Sequence, residues 1–429
     1  MIPSGVFADT FFEGSVILFL YHHPACRHLA IWNLLLVSLL PFVPLNLLAQ
    51  SKPAANSPSN LQNMPDNGAR FKALSEQAAK ASSENRLDQA VALYTKALAL
   101  RPKWTDGWWS LATIEYDQDH YAKAARGFEK VIALDPKNGT AHAMLGLCQF
   151  ELGKNDAALE NLLAAENLGV VKDQQLRRVA LYHMGLLELR AGKYGAAKET
   201  FGQLARDGIR TRELITGLGL AALMIKPQEA PAEGTPGGSV VERTGQAELL
   251  LTENHFEQAK QVYSELNNEY LGYPNLHFAF GRLLLETHEN DQAVQQFQLE
   301  LQRDPKNVNS MLEIAVAREL VDPQAGLQYA EEAARLAPGL PFAHYILGML
   351  RLETGDAASA IPELEIAQKA FPSEAGVYFS LGKAYAKAGR KDDASKARAE
   401  FARLNALAAR APGPTIYGAQ TRTLDKEKP

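Results

Sequence analysis

Ten histidines and two cysteines are the residues of this 429-residue chain with the clearest capacity for chemistry. Metal ligation and general-base catalysis need such side chains in clusters of fixed spacing. His142, His277 and His344 each fall at the fourth position of a repeated segment, where a packing role is expected. The other histidines lack ligand spacing, and no HExxH, paired CxxC, GxSxG or GxxxxGK motif occurs. We therefore expect no metal, no cofactor and no catalysis.

Three further features of the sequence also argue against a chemical role. The glycine pair at 217–223 (GLGLAAL) lies inside a helical run and lacks the third glycine of a nucleotide-binding loop. Cys148 falls in a predicted helix, where a small buried residue is expected; it would be the one cysteine left after export, and one thiol cannot form an internal disulfide. The formal net charge is −5 and the basic residues are dispersed, so nucleic acid is not an expected partner.

A 34-residue period in the sequence predicts the secondary-structure elements on which any functional site would lie. A small residue recurs at this interval, a large apolar residue follows it four positions later, and two pairs of prolines keep the same spacing. Such a period is typical of a helix–turn–helix solenoid, in which each unit buries its apolar face against its neighbours. The residues are Ala90, Ala124 and Ala158, then Tyr94, Phe128 and Leu162, with Pro102 and Pro136, and Pro338 and Pro372.

This pattern resembles the tetratricopeptide repeat family, which places Gly or Ala at positions 8 and 20, an aromatic residue at 24 and Pro at 32. The resemblance implies an all-α, right-handed superhelical solenoid of antiparallel helix pairs with about nine repeats. Small residues at 8 and 20 would let paired helices approach closely, and Pro would end the second helix. The best matches are two later units, 341–374 and 375–408; the third repeat, 139–172, also follows the pattern with Leu145, Gly146, Ala158, Leu162 and Ala165. The matching residues of the two later units are Leu347, Gly348, Ala360, Leu364, Ala367 and Pro372, and Tyr378, Leu381, Gly382, Tyr385 and Ala394.

The repeats suggest a division of the chain with one interruption. A helix at 212–225 has no predicted partner of its own, and the Pro- and Gly-rich run after it is too long for a repeat turn. We expect a continuous stack with a protruding loop; two blocks meeting at a flexible loop are the alternative. The predicted segments are a leader at 1–49, a disordered linker at 50–69, repeats one to four plus the unpaired helix at 71–225, a flexible loop at 226–239, repeats five to nine at 240–408, and a disordered tail at 411–429.

The leader contains an uncharged apolar run at 29–48, preceded by Arg27. This arrangement indicates a secretory signal cleaved near Ala49, or an uncleaved membrane anchor. Pro41 and Pro44 argue against a stable spanning helix. Both alternatives predict repeats outside the cytoplasm, either periplasmic or secreted, or anchored to the inner membrane by 29–48.

The resemblance also implies a binding surface, because positions 2, 5, 9 and 12 of the first helices would line a concave groove. Aromatic and apolar residues predominate at positions 5 and 12, whereas position 9 is mixed and includes Arg282. Aromatic side chains are common anchors for peptides, although packing against a neighbouring helix would also explain them. The predicted groove residues are Trp109, Tyr116, Phe150, Tyr182, Phe278, Tyr345 and Phe379.

These expectations favour a non-catalytic scaffold that binds proteins or peptides in a concave groove outside the cytoplasm. Contact with a membrane would come only through the N-terminal apolar segment, if it stays uncleaved. The alternative is a membrane-tethered accessory subunit of an envelope assembly, secretion or enzyme complex.

Overall fold

The computed structural model describes residues 66–169 and 173–410, which contain nineteen α-helices and no strand. The described chain forms two compact units, one ending at Leu187 and the other beginning at Glu188. The predicted leader and tail lie outside the described residues. Among the described residues, no helix is long and apolar enough to cross a membrane.

The helices follow one another with short connections. Their bounds are α1 Asn67–Ser83, α2 Leu87–Leu100, α3 Thr105–Asp117, α4 Tyr121–Leu134, α5 Gly139–Glu151, α6 Asn155–Leu168, α7 Gln174–Arg190, α8 Tyr194–Arg206, α9 Arg212–Ala222, α10 Pro236–Thr252, α11 Phe256–Glu269, α12 Leu276–Glu286, α13 Asn290–Arg303, α14 Val308–Arg318, α15 Pro323–Leu336, α16 Pro341–Glu353, α17 Ala357–Ala370, α18 Ala375–Lys387 and α19 Lys391–Arg410.

Helix pairing follows from the small residues of the repeat, and the predicted α-solenoid of helix pairs is confirmed. Ala90, Ala124 and Ala158 are completely buried. A methyl group added to Gly146 would lie 2.8 Å from Cγ of Leu162, the large residue at position 24 of the same repeat. The glycine therefore provides the space that the large side chain of the second helix fills.

The turns inside the helix pairs share a backbone feature that the sequence pattern did not reveal. Asn85, Asp119 and Gly153, spaced 34 residues apart, have φ angles of 56°, 60° and 69°. Gly, Asn and Asp enter this left-handed region at the least steric cost. In these three repeats, one residue in the left-handed region therefore specifies the turn after the first helix.

The prediction of an unpaired helix at 212–225 is wrong, because α9 packs against both α8 and α10 within the second unit. Gly219 of α9 faces the Val241 carbonyl of α10, and Gly245 of α10 faces the Ile215 carbonyl of α9. Because neither glycine has a side chain, the backbones of α9 and α10 are in contact at both of these points. The helix packing of the second unit is thus continuous through this region, and α9 is an additional helix inserted between the regular helix pairs.

Two predicted segment boundaries also need correction. The loop expected at 226–239 contains a 3-10 helix at Pro227–Glu229, and α10 begins at Pro236, where Thr235 Oγ1 accepts a hydrogen bond from the Gly238 amide at 3.1 Å. The linker expected at 50–69 ends earlier, because Asp66 caps α1 by accepting from the Gly68 amide at 2.9 Å. Residues 50–65 lie outside the described part of the chain.

The α9–α10 crossing can be tested with Gly245→Ala. The added methyl group would overlap the Ile215 carbonyl, so the free energy of unfolding should fall by about 1–3 kcal/mol, measured by urea denaturation. Gly202→Ala in α8 is the matched control, since its methyl group would meet only the Arg206 guanidinium, at 3.4 Å. That control should gain helix propensity. Equal stability of the two variants would contradict backbone contact at this crossing.

Candidate ligand-binding cavity

Position 4 of the repeats holds a side chain that joins one helix pair to the next. In four repeats this side chain reaches the carbonyl oxygen of the proline six residues earlier, in the turn between pairs. The contacts are Trp108 Nε1 to Pro102 at 2.8 Å, His142 Nε2 to Pro136 at 3.3 Å, His344 Nε2 to Pro338 at 2.9 Å, and Tyr378 Oη to Pro372 at 3.1 Å. Trp, His and Tyr all combine a ring with a donor, which accounts for their use here.

The histidines at this position, including His277, contact the residue nineteen positions later on the partner helix. The Nδ1 atoms lie 2.9 Å from Asn161 Oδ1 for His142, 2.7 Å from Gln296 Oε1 for His277, and 2.5 Å from Glu363 Oε2 for His344. These histidines therefore have structural partners, and no group of three or more His, Cys, Asp or Glu within the described residues is arranged to hold a metal ion.

His344 differs from the other two because its Nδ1 faces a carboxylate, that of Glu363, whereas His142 and His277 face amide oxygens. Burial by itself would lower the pKa of His344, but the hydrogen bonds to Glu363 and to the Pro338 carbonyl raise it above 6.5 overall. Arg351 also bonds Glu363, at 2.9 Å, so this carboxylate is held between two donors. The protonated imidazole, in which both nitrogens donate, fits this geometry.

Cys148 lies in α5 and is completely buried. Burial raises the pKa of its thiol to about 12, and the thiolate is the reactive form. The expectation of a buried packing cysteine agrees with this environment.

The four predicted groove residues of the first unit are half-buried and pack edge-on against other rings. The ring centroids are 5.4 Å apart for Trp109 and Phe128, 5.5 Å for Tyr116 and Tyr121, 4.6 Å for Phe150 and His183, and 5.8 Å for Tyr182 and His183. Part of each ring is therefore used in packing, and part remains on the surface.

The three predicted groove residues of the second unit have different environments. Tyr345 is 2% exposed and cannot contact a partner, so its assignment to the groove is wrong. Its hydroxyl fits beside Gly376, where an added methyl group would lie only 2.8 Å away. Phe379 is 50% exposed and packs on Phe401, whereas Phe278 lies in the wall of a cavity.

This cavity has a volume of about 570 Å³, which lies within the range of small-ligand sites. Its walls come from α8, α12 and α14, from the ends of α9 and α16, from Glu248 of α10, and from Phe371 after α17. Phe278 and Leu312 stand at position 5 of their repeats, and Arg282 at position 9. The lining residues are Gly192, Lys193, Tyr194, Gly195, Ala196, Lys198, Ala221, Ala222, Met224, Glu248, Phe278, Ala279, Arg282, Asn309, Leu312, Glu313, Leu340, Phe342 and Phe371.

The polar side of the cavity is an ion network. Lys198 Nζ lies 2.8 Å from Glu248 Oε2 and 3.2 Å from Glu286 Oε1, and Arg282 pairs with Glu313. Burial alone would lower the pKa of Lys198 and of Arg282, but the surrounding glutamates raise both. Both cations therefore stay charged at neutral pH.

Glu248 is fixed from a second side by a buried tyrosine. Tyr263 donates its hydroxyl proton to Glu248 Oε1 at 2.6 Å, and burial followed by the Glu248 charge raises the pKa of Tyr263 well above 10. Groove positions alone gave no indication of Lys198 or Glu313, whereas Glu248 stands at position 9 of the repeat that begins at 240. Lys198 lies on α8, the second helix of its pair, and Glu313 stands at position 6 of its repeat.

With the helix pairs and the cavity established, comparison with known proteins assigns the repeats. Tetratricopeptide repeat models match residues 109–168, 179–207 and 345–412. These segments coincide with the units in which the repeat pattern is most complete. The described part of the molecule is a helical-repeat fold, and its matched segments are similar to tetratricopeptide repeats.

The individual relatives are distant. The general transcriptional corepressor trfA of Dictyostelium discoideum is 31% identical over 124 residues, which are 28% of this chain and only 8% of that protein's length. Similar solved structures include a MamA fragment from Desulfovibrio magneticus (19% identity, 40% of this chain and 96% of that chain, TM-score 0.35) and the Cut9–Hcn1 hetero-tetramer (14% identity, 79% and 87%, TM-score 0.34).

The burial of Cys148 predicts that native protein resists thiol reagents. A Cys26→Ser variant should give almost no reaction with Ellman's reagent at about pH 8 while folded, and one thiol per chain after denaturation, because the folded thiol is neither accessible nor ionised. Rapid reaction of the folded variant would show that the third repeat opens.

The contacts of His344 with Glu363 and the Pro338 carbonyl predict a pH-dependent contribution to stability. Because the folded pKa is raised, the contribution is fully present below about pH 6.5 and is lost as the pH rises through the folded value. His344→Gln should therefore lower the free energy of unfolding by about 1–2 kcal/mol at about pH 5.5 and by less at about pH 8.5. Chemical denaturation at both pH values measures this difference. A penalty that is the same at both values would show that the imidazole is neutral.

Proposed function

We propose that this chain is a non-catalytic scaffold that binds a segment of a partner protein in the cavity of its second unit. The observation that carries this proposal is the composition of the cavity walls. Residues at groove positions of successive first helices, including Phe278, Arg282 and Leu312, lie together around a space of about 570 Å³. A mainly apolar wall with a few fixed polar groups is typical of ligand sites.

Two phenylalanines make the cavity suitable for protein side chains. Phe342 and Phe371 are half-buried beside the core of the second unit and line the cavity, so each ring presents a face that a partner can cover. Buried aromatic contacts contribute much of the affinity in protein interfaces. The partner's segment would therefore gain most of its binding energy from these rings.

We further propose that the scaffold acts outside the cytoplasm. The support is the apolar run at 29–48, which lies outside the described residues. If the run is a cleaved signal, the mature chain should be found in the periplasm or the medium. Fractionation with membranes after a salt wash would instead favour the tethered accessory subunit.

Removing the aromatic walls tests the binding site. Phe342→Ala combined with Phe371→Ala should weaken binding of a captured partner by roughly thirtyfold or more, measured by titration with the purified partner. Phe379→Ala is the control, because this half-exposed ring lies outside the cavity. Circular dichroism verifies the fold of each variant. If Phe379→Ala abolishes binding and the double variant does not, the site is on the last repeat and not in the cavity.

A further inference from the structure

The ion network of the cavity has one more acid than base. Lys198 and Arg282 are matched against Glu248, Glu286 and Glu313, so the five groups together carry one net negative charge when all are ionised. Lys193 also lines the cavity, but it is exposed to solvent, which screens its charge. The buried part of the site is therefore complementary to a cation.

Glu313 is an acid of this network that can accept a further hydrogen bond. It is 9% exposed and pairs with Arg282 through Oε1, while its Oε2 is buried and has no hydrogen-bond partner among the described residues. A buried carboxylate oxygen without a donor costs free energy, and a donor from a ligand would remove that cost. We expect this donor to carry a positive charge, because the five groups of the network together have one more acid than base.

The apolar walls of the cavity restrict which chemical groups can carry a positive charge into it. Phe278, Phe342 and Phe371 line the same space, and a cation is attracted to the face of an aromatic ring. Arginine and lysine carry their charge on an apolar stem, which can lie along such rings while the head group reaches an acid. A small inorganic cation would leave the rings without contacts.

We propose, resting on the function proposed above, that the cavity binds a partner segment in which an arginine or lysine stands beside apolar residues. The cationic group bonds Glu313, and the apolar neighbours pack on Phe278, Phe342 and Phe371. The segment is recognised by this pairing of one positive charge with apolar side chains.

Selection from a random peptide library on the full chain tests this partner chemistry. Peptides whose binding is lost in the Phe342→Ala, Phe371→Ala double variant should be enriched in arginine or lysine next to apolar residues. For one such peptide, Glu313→Gln should raise the Kd about tenfold, as expected for loss of a charged hydrogen bond. Glu257→Gln is the matched control, because the Glu257 side chain is 86% exposed and does not line the cavity; the Kd of the peptide for this variant should equal that for the wild-type chain.

A change in the peptide gives the same information without altering the protein. Replacing the peptide's arginine by citrulline removes its charge and should also weaken binding to the wild-type chain about tenfold, with little further loss from Glu313→Gln. Peptides that need Phe342 and Phe371 but show neither basic enrichment nor a citrulline effect would overturn this inference and leave the scaffold function standing. If no selected peptide needs the two rings, the proposed function fails and the inference fails with it.

Discussion

The close approach of paired helices is the constraint on which the rest of this structure depends. Ala90, Ala124 and Ala158 have no exposed surface, and Gly146 leaves space that Leu162 fills. Larger side chains at these positions would separate the helix axes. The separation in turn determines which faces of the first helices stay uncovered, and so it determines where the cavity lies in the second unit.

The hydrogen bonds made by the side chains at position 4 connect each helix pair to the preceding one. A ring donor reaches a main-chain carbonyl in the preceding turn, as Trp108, His344 and Tyr378 do. Because the acceptor belongs to the backbone, the contact is available in every repeat whatever the side chain in the turn. Nearest-neighbour coupling of this kind is what holds a repeat protein in a defined arrangement.

The sequence was sufficient for the helix pairs but not for the details that create the cavity. Periodic small residues specify pairing directly, since each unit needs them at the same place. The α9–α10 crossing was missed because Gly219 and Gly245 fall in different predicted segments, and only the folded chain brings them together. Tyr345 and Phe278 hold the same repeat position and both belong to core clusters, yet only Phe278 also lines the cavity. Such differences depend on the local environment of each helix, which a period does not record.

The walls of the cavity come from parts of the second unit that are far apart along the chain, from Gly192 to Phe371. A bound segment would touch several helix pairs at once and would add contacts between elements that are not adjacent along the chain. The pairs would then open together instead of one at a time. Occupancy would thus convert a chain of locally coupled units into a single cooperative block, with slowed amide exchange well beyond the residues in contact.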